Sequence, residues 1–241
     1  MSDRSWLDRA KLLVGEDSLT KLVNSHILIA GLGGVGAYAA EQLARAGVGE
    51  MTIVDGDVIE VSNKNRQLLA LDSNVGKRKA QLMADRLLDI NPDIKLHVID
   101  EYIKDEKIEE ILDMAKYDYV VDAIDTLAPK IFLIYNSLKR GYNIVSSMGS
   151  GGKSDPSMIQ VADISKSYNC TLARMLRKRL HKLGVYKGVK VVFSPEETPE
   201  HAVIIDEGRN KKSTVGTISY IPPMFGCFLS AVVIRDIVGN Q

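Results

Sequence analysis

Cysteine is almost absent from this chain. There are two in 241 residues, Cys170 and Cys227, and they form no Cys-x-x-Cys pair. A zinc held by four cysteines is impossible within one chain, so no structural zinc is expected. Excess charge is absent too: 31 Lys and Arg balance 31 Asp and Glu. Binding to nucleic acid must therefore come from charge segregated along the chain. The first nine residues are polar and charged, unlike a signal peptide. The longest apolar stretch, 225–234, is about half of what a bilayer span requires. No membrane association is expected, and a cytoplasmic location is. With 45% hydrophobic and 26% charged residues, the composition is that of a folded globular chain with ample core.

What is present concentrates in residues 25–67. His26–Ala30 is short, apolar and β-branched, which predicts a buried parallel strand. Gly-Leu-Gly-Gly-Val-Gly follows at once (Gly31, Gly33, Gly34 and Gly36). Apolar residues then recur at helical spacing through Val35, Ala39, Leu43 and Ala46, and Gly47 stops the helix. A second strand, 51–54, ends on Asp55. Strand, glycine turn, helix, strand and acid form the dinucleotide-type phosphate fingerprint in its required context. Gly31 permits the tight turn, and Gly33 and Gly34 let backbone N–H groups approach a phosphate. Gly36 lets the helix pack close to the sheet, its positive end toward the anion. Asp55 stands where a carboxylate accepts hydrogen bonds from ribose hydroxyls. The glycines alone do not exclude a nicotinamide dehydrogenase. The next residues argue against one: Asp57, then Ser62-Asn63-Lys64-Asn65-Arg66-Gln67. An arginine just past the ribose carboxylate suits phosphoryl or adenylyl transfer, where fixed cations stabilise charge on phosphate oxygens.

The order G-x-G-G-x-G, D-x-D-x-V, S-N-x-N-R-Q, V-G-x-x-K and D-A-x-D resembles the ThiF/MoeB/HesA family, bacterial relatives of ubiquitin-activating enzymes. The resemblance runs over roughly residues 9–164, with the spacing kept. It implies an ATP site with Mg²⁺. Arg66 would act as an arginine finger, and Lys79, the second lysine of V-G-K-R-K-A, would contact phosphate. Asp125 of Asp122-Ala-Ile-Asp125 would serve the metal and the phosphates, with Asp122 more structural. Asp55, Asp57, Ser62, Asn63, Asn65, Gln67 and Thr126 complete the implied nucleotide contacts. Arg9 lies in W-L-D-R-A-K-L-L-V-G, similar to the family's leading arm, which implies a homodimer with Arg9 supplied in trans. Many relatives that activate sulfur-carrier proteins hold two Cys-x-x-Cys pairs, and this chain lacks all four cysteines.

Along the chain, 5–22 predicts one or two short helices. Strands at 94–99, 119–121 and 142–146 alternate with helices at 75–91, 104–116 and 126–140. The fold class expected is α/β: a Rossmann-like, doubly wound, mainly parallel sheet with helices on both faces. The alternation breaks after Gly149-Ser-Gly-Gly, where a smaller, partly antiparallel C-terminal part is expected. The divisions expected are an N-terminal helical arm (1–24), the adenylation domain (25–164) and an extension (165–241), forming one compound domain. Residues 164–195 carry eight Lys or Arg and no Asp or Glu. Arg174, Arg177, Lys178, Arg179 and Lys182 share one predicted helix, which suits an RNA backbone. A second basic stretch spans 210–215, and a closing apolar helix packs on the sheet.

The missing zinc ligands, D-I-S-K-S-Y-N-C-T-L-A-R (163–174), V-V-F-S-P-E (191–196) and the closing helix resemble one branch of the family, the dehydratases of threonylcarbamoyladenosine in tRNA. The resemblance implies adenylation of the threonyl carboxylate with loss of pyrophosphate. The side-chain nitrogen then closes a ring and expels AMP. The alternative is an adenylyltransferase acting on the diglycine tail of a sulfur carrier. Cys170 lies in a polar, basic segment that would depress a thiol pKa, but ring closure needs no thiol, and its other role would be with a sulfur-transfer partner. Cys227 reads as core.

Overall fold

The computed structural model describes residues 3–103, 105–205 and 213–239. Two short helices, α1 (Asp8–Val14) and α2 (Glu16–Val23), precede β1 (His26–Ala30), α3 (Gly36–Arg45) and β2 (Glu50–Val54). The chain continues through α4 (Lys79–Ile90), β3 (Lys95–Ile99), α5 (Asp105–Asp113), β4 (Tyr119–Asp122), α6 (Leu127–Lys139) and β5 (Asn143–Ser147). Then come β6 (Gln160–Asp163), α7 (Thr171–Lys182), β7 (Lys190–Phe193), the hairpin β8 (Val203–Ile205) and β9 (Ser213–Val215), and α8 (Ile221–Val238). The seven-stranded sheet runs β3-β2-β1-β4-β5-β7-β6; only the β6–β7 pairing is antiparallel. The α/β expectation holds, with two refinements. The segment beyond residue 164 places β7 inside the main sheet, parallel to β5, and the separate antiparallel sheet is the β8–β9 hairpin. Of the basic stretch 210–215, residues 210–212 lie outside the described residues.

All five residues of β1 are buried because helices cover both faces of the sheet. Alternate residues divide between two cores. Ile27, Ile29, Met51, Ile53 and Val121 face α3, α4 and α8. Leu28, Ala30, Val54, Val120 and Phe193 face α5, α6 and α7. By length and composition α8 alone, among the described residues, would suit a bilayer. Instead it buries Ile221, Phe225, Leu229 and Val233 against α3, β5 and β7. Gly226 is where it meets α3: a Cβ there would stand 2.4 Å from the Val35 carbonyl oxygen. That contact admits no side chain.

Helix α4 starts at Lys79, four residues later than the pattern 75–91 predicts. The backbone before it is committed elsewhere. Gly76 N donates to Ile59 O, Ile59 N to Lys77 O, and Lys79 N to Asp57 O. This short antiparallel bridge sets Lys79 opposite Asp57. Charge ties α4 to α3: Glu41 of α3 accepts from Arg86 Nε of α4 at 2.6 Å and from Arg45 Nε of its own helix at 2.9 Å. Burial pushes the Glu41 carboxyl up, but the two guanidinium hydrogen bonds outweigh it and hold it below the ordinary value. A depressed folded pKa means stability that is present above the unfolded value of about 4.3 and lost as pH falls through the folded value. Urea midpoints should therefore show wild type losing its advantage over Glu41→Gln on acidification to about pH 3. An unchanged gap would sink the argument.

Candidate nucleotide site

The strand order reverses between β1 and β4, and doubly wound sheets bind ligands at the carboxyl ends of the strands flanking such a point. Two loops leave here, the glycine turn after β1 and Ala123–Thr126 after β4. They touch. Gly31 has φ +93°, and a Cβ there would lie 2.9 Å from the Ala123 carbonyl oxygen. At Gly36, the first residue of α3, a Cβ would fall 1.8 Å from the Gly31 carbonyl oxygen. Only glycine lets α3 start so close under the turn, and that closeness aims its N-terminal N–H groups into the crevice.

Asp55, at the end of β2, braces the turn from below. One of its oxygens accepts from Leu32 N at 2.6 Å and the other from Asp57 N at 2.8 Å. Both carboxylate oxygens thus already serve the chain, a bracing role that the fingerprint does not announce beside the ribose contact expected of it. Burial pushes its carboxyl up, against the pull of nearby Lys79. Lys79 is itself buried and gives its ammonium to Asp57 Oδ2 at 2.9 Å. A cation on the first turn of a helix opposes the helix dipole. Its position is explained by the two carboxylates beside it, not by helix stability.

Arg66 and Gln67 lie over the glycines. A side chain at Gly34 would press on Arg66 Cγ at 3.3 Å and on Pro222 Cβ of α8 at 3.1 Å. Arg66 donates to Ser62 O at 3.0 Å and Asn65 Oδ1 at 2.7 Å, and it is half-buried. Asn65 in turn donates to Thr217 O at 2.9 Å, so the segment after β9 closes over this loop. Gly33 faces open space apart from Gln67 Nε2, 3.7 Å from where a Cβ would be. Gln67 Oε1 is buried and lacks a hydrogen-bond partner among the described residues. An open glycine beside an orphaned acceptor fits a site built for a polar ligand.

The other expected residues differ in burial and partners. Ser62 and the buried Asn63 direct their side chains to Glu60: Ser62 Oγ donates to its carboxylate at 3.2 Å, and Asn63 Oδ1 accepts from Glu60 N at 3.1 Å. They shape the turn that presents Arg66. Asp125 is exposed, and Thr126 is the residue capping α6. Asp122 is wholly buried, matching the structural role expected of it. Its Oδ2 accepts from Lys130 Nζ at 2.7 Å and Ser146 Oγ at 2.6 Å, and Oδ1 from Ile124 N at 3.1 Å. Lys130 is equally buried and also donates to Ile124 O at 2.8 Å. Sequence reasoning missed Lys130, although a lone charge inside the apolar run LAPKIFLIY of α6 was the available signal. Arg9 sits exposed on α1 and is not brought to the glycine turn of its own chain. The arm packs through Leu7 on Gly47, beyond the far end of α3.

On α7, Arg174, Lys178, Arg179 and Lys182 are exposed. Arg177 is turned inward, donating to Ser167 O at 2.7 Å and to the Ser167 hydroxyl. It holds the turn before the helix instead of joining the outer basic face. Cys170 is buried beneath α7, whereas Cys227 is only half-buried, less enclosed than a core reading predicts. Burial pushes the Cys227 thiol up.

The model of the ThiF family matches residues 7–241. The chain belongs to the ThiF family. Among its relatives, the tRNA threonylcarbamoyladenosine dehydratase of Bacillus subtilis (strain 168) is 39% identical over 238 residues, 95% of this chain and 93% of that one. The enzyme of the same name from Escherichia coli (strain K12) is 41% identical over 191 residues, 76% of this chain and 71% of that one. The crystal structure of the E. coli tRNA N6-threonylcarbamoyladenosine dehydratase in complex with ATP superposes with a TM-score of 0.88. It covers 98% of this chain and 96% of that chain at 34% identity.

Proposed function

We propose that this chain is an ATP-dependent dehydratase of threonylcarbamoyladenosine in tRNA. What carries the reading is the convergence of Arg66, the Lys79–Asp57 pair and the Asp125 loop on the glycine turn at the switch point. The full-length likeness to dehydratases supports the choice of substrate over a sulfur-carrier tail. ATP supplies the activating group for the threonyl carboxylate. The chain's own residues bind and orient. The turn's N–H groups and the α3 N-terminus receive phosphate, and Lys79 adds a point charge. Arg66 neutralises charge that develops on phosphate oxygens, and Asp125 would hold Mg²⁺, a cation that favours one or two carboxylates plus phosphate oxygens. Ring closure inside one substrate asks mainly for orientation, which fits the burial of Cys170.

Exposed Arg174, Lys178, Arg179 and Lys182 would meet the tRNA backbone, with exposed Tyr186 beside His181 (ring centroids 5.0 Å apart) offering a stacking surface. On α1, Leu12 and Leu13 are 86% and 78% exposed. A homodimer that covers them would also deliver Arg9 to the partner's site.

The test uses purified protein with ATP, Mg²⁺ and threonylcarbamoylated tRNA, followed by nucleoside mass spectrometry. Loss of one water from the modified nucleoside, dependent on ATP, is the expected result. No mass change, with pyrophosphate exchange only when a diglycine-tailed carrier is added, would replace the dehydratase with the carrier activator.

A further inference from the structure

At the opposite end of the sheet, three parallel strands begin with polar side chains on one face. His26 on β1 pairs in register with Glu50 on β2, and Thr52 with His97 on β3. The period of two along each strand sends these side chains to the same side. One ligand atom from each of His26, Glu50 and His97 lies within 4.8 Å of the other two. His97 Nε2 is 2.7 Å from Glu50 Oε1, and His26 Nδ1 is 3.5 Å from the same oxygen.

Thr52 Oγ1 lies 2.9 Å from His26 Nε2, which leaves Nδ1 as the ring atom that faces Glu50. With the ring proton on Nε2 and donated to Thr52, Nδ1 offers its lone pair beside the carboxylate, a donor set suited to a cation. Ligands on a tetrahedral zinc with bonds of about 2.0–2.1 Å stand roughly 3.3–3.5 Å apart. A second partner holding the far ring nitrogen, as Thr52 does, is the usual support of a ligating imidazole.

We propose that His26, Glu50 and His97 bind a divalent transition-metal ion of the zinc type. Two imidazoles and one carboxylate suit such an ion better than Mg²⁺ or Ca²⁺, which take oxygen. Lys95 Nζ also reaches Glu50 Oε1, at 2.8 Å, but its side chain is 66% exposed and free to swing into water. His97 moves off its direct contact with Glu50 by well under an ångström to admit the ion. The absence of zinc expected earlier rested on cysteines; this donor set uses none. The site lies a strand's length, about 16 Å, from the glycine turn. It therefore fastens β1, β2 and β3 together and takes no part in the nucleotide chemistry.

Full-length protein stripped with a chelator is titrated with Zn²⁺ by calorimetry and with Co²⁺ by visible absorption. Expected is one equivalent of zinc at micromolar or tighter Kd, not displaced by Mg²⁺. The intense d–d bands of four-coordinate Co²⁺ should appear, and thermal unfolding should shift up by several degrees on zinc addition. His97→Ala and Glu50→Gln, at partly exposed positions, should each weaken binding by at least about tenfold and abolish the thermal shift. If His97→Ala does not fold, Glu50→Gln alone decides. Absence of stoichiometric uptake, or equal uptake by wild type and variants, overturns the site. Neither outcome depends on tRNA activity.

Discussion

Lys130→Met lowers the free energy of unfolding by about 3–5 kcal/mol, the cost of leaving a buried charge without its partner. Lys130 and Asp122 are both 0% exposed in their side chains. Removing the ammonium strips Asp122 Oδ2 of its 2.7 Å donor and the Ile124 carbonyl of its 2.8 Å donor. Only the Ser146 hydroxyl and Ile124 N then remain to hold a carboxylate in an apolar interior. The pair itself is not a large net gain over apolar residues, because both ions had to leave water. Lys130→Met/Asp122→Asn should therefore recover a good part of the loss. Urea unfolding followed by circular dichroism measures both variants. A single-variant loss below about 1 kcal/mol would mean that water reaches the site and screens it. Because Ile124 leads directly to Asp125, the single variant should also weaken ATP binding.

Arg66→Ala, under the proposed dehydratase activity, slows turnover by about 10³-fold or more, the scale on which an arginine on transferring phosphates acts. Its guanidinium is already anchored by Ser62 O and Asn65 Oδ1, so it meets charge without a reorganisation cost. Arg66→Lys should recover little, since one ammonium cannot keep both anchors and still reach phosphate. Stability should hardly change, because the side chain is half-buried at the surface of a loop. Single-turnover rates and ATP affinity measured side by side separate the outcomes. A rate loss under tenfold with a matching loss of affinity would reduce Arg66 to a binding residue.

Much of this architecture is legible in the sequence. The β1–turn–α3–β2 unit is, because period, glycines and the closing acid all point one way within thirty residues. Other features depend on groups far apart in the chain. Nothing local to 190–193 says that this strand enters the sheet between β5 and β6. The helical pattern begins at residue 75 but α4 begins at Lys79, because the intervening backbone is spent on Asp57–Ile59. The fingerprint directs Asp55 toward a ligand, and only the fold brings Leu32 N and Asp57 N to its carboxylate. Arg177 shares the residue type of its basic neighbours, but it stands four residues after Ala173 and three before Leu180, on the edge of the buried face of α7. His26, Glu50 and His97 were invisible as a group, since only strand register unites them.

The crossing at Gly226 has a consequence for biosynthesis. The residues that press on the glycine turn are far apart in the chain: Arg66 and Pro222. Translation delivers α8 after every other element described here, so until it emerges a nascent chain exposes an unfinished phosphate cradle and the apolar flank of α3. Such an intermediate cannot sequester ATP during synthesis. It presents instead the apolar surface that chaperones recognise, and the docking of α8 covers that surface.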